Sequence, residues 1–286
     1  MKYIFMKEQS QVHCISKMAR VLKTSRSGYY KWLITPTSNR GLENELLVQK
    51  IRIYQEELKY SYGSKRLTTH IKNVEKIALG HNRVAKLMKD NKLGAKRKRR
   101  WRKPKEEKDL KSTTPNILDR NFDVSEPDKI WVSDISYIRT SSGWKYLCAI
   151  MDLYSRKIIG WSFAHRMDMP LVLNAFQAAI VNRNHPKGVM FHTDRGSQYC
   201  SNEFKSVLEK NEFIQSMSRK GNCWDNACIE SFFKSLKYEY LYPLGILNTQ
   251  ETKMNLFEYI EIFYNRKRIH TSLGNRSPEE YEKIGA

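Results

Sequence analysis

KIWVSDISYIR (129–139), GWKYLCAIMDLYS (143–155) and KIIGWSFAHR (157–166) follow one another with only short polar connections. Each is rich in β-branched and aromatic residues, so a meander of three antiparallel strands is expected. Pro170 then opens a helix, LVLNAFQAAIVNR (171–183), with Leu171, Ala175, Ala178 and Ala179 on one face. GVMFHTD (188–194) is a short apolar strand ending in an acid. SNEFKSVLEKN (201–211) is a helix with a serine N-cap. NACIESFFKSLKYEYL (226–241) is an amphipathic helix, and TKMNLFEYIEIFYNRKR (252–268) is another that ends in a basic patch. This order predicts an α/β domain on a mixed five-stranded sheet over residues 125–241, with a helical extension over 242–286.

Upstream the texture is different. In VHCISKMARVLKTSRSGYYKWL (12–33), Val12, Ile15, Met18, Ala19 and Leu22 recur at helical spacing. Thr24–Gly28 then forms a turn, and Tyr29, Tyr30, Trp32 and Leu33 sit on a second short helix. Helix, tight turn and helix on a basic segment predicts a helix-turn-helix. With a helix from Leu42 to Glu57, it makes a first unit over 1–57. YGSKRLTTHIKN (62–73) and HNRVAKLMKDNKL (81–93) make a second helical unit over 58–93, with Val84, Leu87, Met88 and Leu93 as a core stripe. Residues 94–111, GAKRKRRWRKPKEEKDLK, have no apolar periodicity and cannot pack a core. They read as the start of a basic linker (94–124) that tracks phosphates, with Trp101 available for stacking.

The formal charge is +21, and it is segregated. Residues 1–124 hold 30 Lys and Arg against 12 Asp and Glu, whereas residues 125–286 hold 21 against 18. A strongly basic half joined to a near-neutral half points to nucleic-acid binding coupled to a second task. Arg26, Lys31, Lys65, Arg66, Lys96, Arg97, Arg99 and Arg100 are the candidate DNA contacts. With 40% hydrophobic and 12% aromatic residues the chain folds rather than staying disordered. No run of about 18 apolar residues predicts a membrane span, and the N-terminus is too polar for a secretory signal, so a cytoplasmic location is expected. The five cysteines show no metal-ligand spacing; even Cys223 and Cys228, the closest pair, lack companions for zinc, and buried reduced thiols are expected.

Three carboxylates stand out by position. Asp134 lies inside the first strand, Asp194 at the end of the fourth, and Glu230 in the amphipathic helix. A charge inside an apolar strand is costly unless it is paired or binds a cation. Oxygen donors of this kind suit Mg²⁺ or Mn²⁺, and two such ions support in-line phosphoryl transfer without a nucleophilic side chain. Taken singly, each acid also has an ordinary reading, and Asp152 and Asp225 compete for places in the site.

WVSDISYI (131–138), FHTDRGSQY (191–199), DNACIESFFKSLKYE (225–239) and YNRKRIHTSLGNRSPEEY (264–281) resemble the OrfB-type transposases of the bacterial insertion-sequence family three, kin to retroviral integrases. SRSGYYKWL (25–33) and YGSKRLT (62–68) extend the resemblance over nearly the whole chain. The 35 residues between Asp194 and Glu230 match the family's acid spacing. The resemblance implies a ribonuclease-H-like integrase core, with Asp134, Asp194 and Glu230 as ligands of two Mg²⁺ (or Mn²⁺) ions. It further implies strand cleavage and 3′-hydroxyl strand transfer on double-stranded DNA, a joined-end circular intermediate, and an upstream OrfA-type partner or frameshift fusion. Lys234 and Lys237, four and seven residues past Glu230, are expected on its helix face as DNA contacts. His192, Arg195 and Asn226 are expected in support, along with Ser197 and Gln198. The zinc module of retroviral integrases is absent from the sequence; only His13 and Cys14 stand there. A homo-oligomer is expected, because two DNA ends must be held together, and the nucleoid is the expected place of work. A nuclease that cuts without joining and a catalytically dead DNA-binding regulator are the rival readings.

Overall fold

The computed structural model describes residues 1–35, 39–95, 114–119, 121–219 and 226–285. Lys96, Arg97, Arg99, Arg100, Trp101, Cys223 and Asp225 lie outside the described residues. The chain divides into two compact units, Met1–Gly94 and Ala95–Ala286.

The first unit is helical. Helices α1 (Lys2–Glu8), α2 (Ile15–Val21) and α3 (Arg26–Ile34) enclose Met6, Met18, Ala19 and Tyr29, with Tyr3, Leu22 and Trp32 packed around them. Ser25 caps α3 by accepting a hydrogen bond from the Gly28 amide at 3.2 Å, which fixes the turn expected at 24–28. Two details depart from the sequence reading. Helix α1 was not anticipated, and Val12 lies outside α2 and is 72% exposed instead of joining its apolar stripe.

Helices α4 (Asn39–Glu57), α5 (Ser64–Glu75) and α6 (His81–Asp90) follow. Leu47, Ile51, Leu67, Ile71, Val84, Met88 and Leu93 are buried, while Leu87 is only half-buried. The buried Gln55 amide donates to the carbonyls of Tyr62 and Leu93, each at 2.9 Å, which closes the base of α4 over two connecting loops.

The second unit is built on one sheet of order β3-β2-β1-β4-β5. Strands β1 (Ile130–Thr140), β2 (Gly143–Asp152) and β3 (Ile158–Ala164) form the antiparallel meander. Strands β4 (Met190–Thr193) and β5 (Ile214–Met217) are parallel to β1 and to each other. The position of β5 was not read from the sequence. It has only four residues, and its outer edge is covered by 114–119: Met217 N–H donates to Pro115 O at 3.2 Å, and Ser216 Oγ accepts from the Ile117 amide at 3.0 Å.

Alternate residues divide the sheet into two faces. Trp131, Cys148, Ile150 and Phe191 face one way and pack on α7 (Met169–Asn182), α8 (Ser197–Cys200) and α9 (Asn202–Lys210). Their core includes Phe176, Tyr199, Phe204 and Phe213, rings that bury on the order of 150–250 Å² each. Val132, Asp134 and Ser136 point to the other face, where α10 (Ala227–Ser235) packs on β1.

Helix α10 runs into a π-helical stretch (Leu236–Leu241) and a single turn, α11 (Tyr242–Leu244). Helix α12 (Thr249–Phe257) starts with a capping box of Asn248 and Glu251 and also changes into a π-helical stretch (Glu258–Tyr264). A 3₁₀ turn (Thr271–Leu273) and α13 (Pro278–Gly285) end the chain. Asn265 joins this extension to the sheet: its side chain accepts from Ile158 N–H and donates to Ile158 C=O, both at 2.9 Å. The basic patch expected near 266–268 is only partly at the surface, because Arg268 is 3% exposed. Among the described cysteines all are free thiols, but only Cys148 is buried; Cys14 is exposed, against the expectation of buried thiols. No helix among the described residues is long and apolar enough to cross a membrane.

Candidate active site

Asp134 and Asp194 are brought together by strand register. Strands β1 and β4 are parallel neighbours, paired from Ile130 with Met190 to Ser133 with Thr193. One step further along both chains places Asp134 beside Asp194, at the spacing of adjacent strands, about 4.8 Å. Strand β4 ends at Thr193, so Asp194 occupies the carboxyl end of a strand, while β1 continues past it to Thr140. In α/β sheets, ligand sites collect at such carboxyl ends. Asp194 Oδ1 accepts the Gly196 amide at 2.9 Å, and Asp134 Oδ1 accepts the Ile135 amide at 2.8 Å.

Electrostatics links the two acids to one buried group. Tyr199 OH lies 2.8 Å from Ser133 Oγ, and Cys148 Sγ lies 3.6 Å from the same hydroxyl. Burial pushes the Cys148 thiol up to about 12, and the charges of Asp134 and Asp194 add to that rise. Tyr199 is raised by burial too, with contributions from Cys148, Asp194 and Asp134. Burial also pushes the Asp194 carboxyl up, against the Gly196 hydrogen bond that favours its charged form.

Glu230 is on the first turn of α10 and is exposed. The start of that helix is tied to β1, because Asn226 Nδ2 donates to Ser133 O at 3.2 Å. The helix therefore begins beside Asp134, on the face to which Asp134 points. Among the described residues, however, no three His, Cys, Asp or Glu side chains are gathered closely enough to hold a metal ion. The donors still fit a hard divalent cation: all are oxygens, and a charged, half-buried Asp194 would be favoured by a cation beside it. The Asn226 Oδ1 atom is buried and has no hydrogen-bond partner among the described residues.

Lys234 is exposed, four residues past Glu230. Lys237 is not exposed with it. It is buried, with Nζ donating to Ser136 Oγ at 2.7 Å. Ser136 lies on the same face of β1 as Asp134, so Lys237 turns onto the strand under the helix instead of out to solvent. His192 lies two residues before Asp194 on the same face, buried, with Nδ1 at 2.9 Å from Ser216 Oγ; it sits beneath the acids rather than at their mouth. Arg195 Nε donates to Ser218 O at 2.8 Å and Gln198 Nε2 to Met167 O at 2.8 Å, so both brace loops. Ser197 starts α8. In the first unit Arg26, Lys31 and Lys65 are exposed and Arg66 is half-buried.

Asp152, the competing acid, is elsewhere. It pairs with Trp131 across the β1–β2 register, three positions from Asp134 and on the opposite face. Its carboxylate accepts from the amides of Asp128 (2.8 Å) and Tyr154 (2.9 Å) and from Arg183 Nη2 (3.1 Å). Arg183 also binds Glu282, and Lys157 Nζ reaches Glu282 at 3.0 Å. No sequence signal identified this cluster, since its members are 128, 152, 157, 183 and 282.

Residues 124–223 match the integrase core domain family, and residues 212–278 match a second model with the same description. Residues 42–101 match an HTH-like domain. Transposase InsF of insertion sequence IS3A from Escherichia coli K12 is 36% identical over 284 residues, covering 99% of this chain and 98% of that one. The chain belongs to the IS3-type transposase family. The 31 kDa protein of insertion element IS600 from Shigella sonnei, 38% identical over 273 residues, covers 94% of this family member and is itself covered completely. Of solved structures, a chain of the simian T-cell lymphotropic virus intasome in complex with a PP2A regulatory subunit aligns at a TM-score of 0.48 and 14% identity, over 81% of this chain and 74% of that one. At that score the likeness carries no weight here; the assignment to the transposase family rests on the sequence relatives and on the integrase core match.

Proposed function

We propose that this chain cleaves DNA strands at the ends of an insertion sequence and transfers the freed 3′-hydroxyl to a second phosphodiester, with Asp134, Asp194 and Glu230 holding two Mg²⁺ (or Mn²⁺) ions. The single observation that carries the reading is the β1–β4 register, which sets Asp134 next to Asp194 at the end of β4, on the face covered by the helix of Glu230. When bound, a pair of divalent ions supplies activation of the attacking oxygen and charge stabilisation at the leaving one. Asp134 and Asp194 present their carboxylates from a rigid sheet, which limits the reorganisation needed at reaction. Glu230 completes the set from α10, and Asn226 anchors the start of that helix to Ser133. Lys234, exposed beside Glu230, meets a phosphate of the DNA end. Lys237, buried on Ser136, is better suited to hold the helix on β1 than to reach DNA.

The α2–turn–α3 unit and the α4–α6 unit bind the duplex through exposed basic side chains, Arg26, Lys31 and Lys65 with Arg66 alongside. Contacts of this kind are mainly to phosphate and set position rather than sequence. Lys96, Arg97, Arg99 and Arg100 extend the basic path. Two DNA ends call for more than one copy of the chain, and an upstream OrfA-type partner or fusion is part of the proposed assembly, at the bacterial nucleoid.

The test is a joining assay on labelled DNA carrying the element's own ends, with Mg²⁺ and the upstream partner supplied. Strand transfer lost in Glu230→Gln, with DNA binding retained, is the expected result. Cleavage without joining by the native chain would favour a nuclease. Equal joining by both proteins would remove Glu230 from the site.

A further inference from the structure

Arg268 is an arginine inside a run, NRKR (265–268), whose other cations are at the surface. Arg266 and Lys267 are exposed, whereas Arg268 is 3% exposed. Its Nε and Nη2 donate to the two oxygens of Glu239, both at 2.9 Å, and Nη2 also donates to Ser235 Oγ at 3.1 Å. His270 Nε2 lies 3.3 Å from Nη1, and the guanidinium sits 5.8 Å from the Tyr264 ring centroid.

Those two acceptors straddle a change of helix type. Ser235 is the last residue of α10, and Glu239 lies within the π-helical stretch that begins at Leu236. A π turn replaces i→i+4 hydrogen bonds by i→i+5 bonds, and is a rare local form that needs outside support. The planar fork of Arg can hold a carboxylate and a hydroxyl at fixed separation, which a lysine cannot. One turn earlier on the same inner face, Phe232 meets the Tyr264 ring edge-on with centroids 4.8 Å apart. So Phe232, Ser235 and Glu239 are gripped by residues 264 and 268, while Glu230 and Lys234 of the same helix stay exposed.

We infer that Arg268 is a positioning residue: by fixing the α-to-π junction it sets the rotation of α10 and thereby the approach of Glu230 to Asp134 and Asp194. This rests on the reading of Glu230 as an active-site acid. A helix turns by about 100° per residue, so a slip of one residue at the junction would carry Glu230 off the face it shares with Asp134. Arg268 touches neither substrate nor metal; being buried, it does not reach a DNA phosphate either.

The experiment compares Arg268→Lys with the native full-length chain on labelled element ends, with the upstream partner present. Four quantities are read: joining rate, Mg²⁺ concentration for half-maximal rate, DNA affinity by fluorescence anisotropy, and melting temperature. Joining is expected to slow about 100-fold, as displacement of a reacting group by an ångström can do. The Mg²⁺ requirement is expected to rise about tenfold, with DNA affinity within twofold. A lowered melting temperature with the joining rate per folded molecule and the Mg²⁺ requirement unchanged would make Arg268 merely structural and overturn the inference. Should Arg268→Lys fail to fold, Ser235→Ala removes one arm of the grip: a slower rate at an unchanged melting temperature supports the inference, and an unchanged rate overturns it. Glu230→Gln, run alongside, separates the two ideas. If it joins DNA normally, the reading of the site has failed; if it is dead while Arg268→Lys is fully active, only the inference has.

Discussion

Asp152 and Asp194 are aspartates of one sheet, the first fully buried and the second half-buried, on opposite faces and in opposite company. Asp152 is met by Arg183, which also holds Asp128 and Glu282, and by two backbone amides. Asp194 is met by a single backbone amide, that of Gly196, and by no cation among the described residues. Burying a carboxylate is expensive, and the chain offsets part of the cost at Asp152 with its own arginine. At Asp194 it leaves the cost standing. Where a fold compensates a charge from within, the charge serves the fold; where it does not, the charge is available to something that arrives from outside. The competing acid and the proposed ligand are therefore told apart by their surroundings.

The contrast can be broken most directly by neutralising each end. Asp194→Asn should slow strand joining on the order of 10³-fold, because losing a metal ligand forfeits several kcal/mol of transition-state stabilisation. Its melting temperature in metal-free buffer should not fall, since a charge disfavoured by desolvation has been removed. Joining that survives this substitution would refute the assignment. Arg183→Met should do the reverse. It leaves Asp152 and Glu282 without their shared cation and should cost about 3 kcal/mol in urea unfolding, while the joining rate per folded molecule stays within threefold. A catalytic loss larger than the stability loss would mean that the two ends are not independent.

Mg²⁺ sharpens the same comparison. At 100 times its dissociation constant it should stabilise the native chain by about 2.7 kcal/mol. Thermal melts should retain that increment in Arg183→Met and lose it in Asp194→Asn. Proton linkage gives a smaller effect at the compensated end. Burial pushes Asp152 up to about 7 despite Arg183. A carboxyl held above its unfolded value, near 4, contributes stability that is complete below that value and is lost as pH rises to about 7. Glu282 runs the other way. Burial opposes its ionisation, but hydrogen bonds from Arg183 and Ser155 hold its pKa low, so its contribution is present above its unfolded value and fades as pH falls. Asp152→Asn should flatten the loss of melting temperature between pH 4 and 7; an unaltered slope would show that Asp152 does not titrate there. The smallest effect belongs to the basic first unit. Lys65→Ala should reduce the slope of log affinity against log salt by about 0.9, the share of one phosphate contact, and leave both acid clusters untouched.

The antiparallel meander was legible because β1 to β3 carry long β-branched and aromatic runs with short polar turns. The proposed pair of acids was legible because Asp134 interrupts an apolar strand and Asp194 ends one. Strand β5 was not legible: four residues with Ile214 half-exposed and Ser216 buried give no alternation to read. The burial of Lys237 on Ser136 was not legible, because helical spacing gives a face but not what packs against it. The Asp152–Arg183–Glu282 cluster and the Arg268 grip join residues 31 to 99 and 29 to 33 positions apart, and such pairings are created by folding alone. Helix α1 escaped notice because its apolar and aromatic residues, Tyr3 to Met6, are consecutive and show no helical spacing, and only Met6 is buried.

The Asn265 side chain bonds both the N–H and the C=O of Ile158, on the outer strand of the sheet. An open strand edge is a template for another strand, and proteins that crowd together on one DNA molecule run that hazard at high local concentration. Here a side-chain amide already plays the neighbouring strand for one residue, and it is 2% exposed. A second copy that extended the sheet from this point would first have to expel Asn265 and give up two interior hydrogen bonds. At this residue the extension thus works as a selvedge, the woven border that stops a fabric from being stitched to its neighbour.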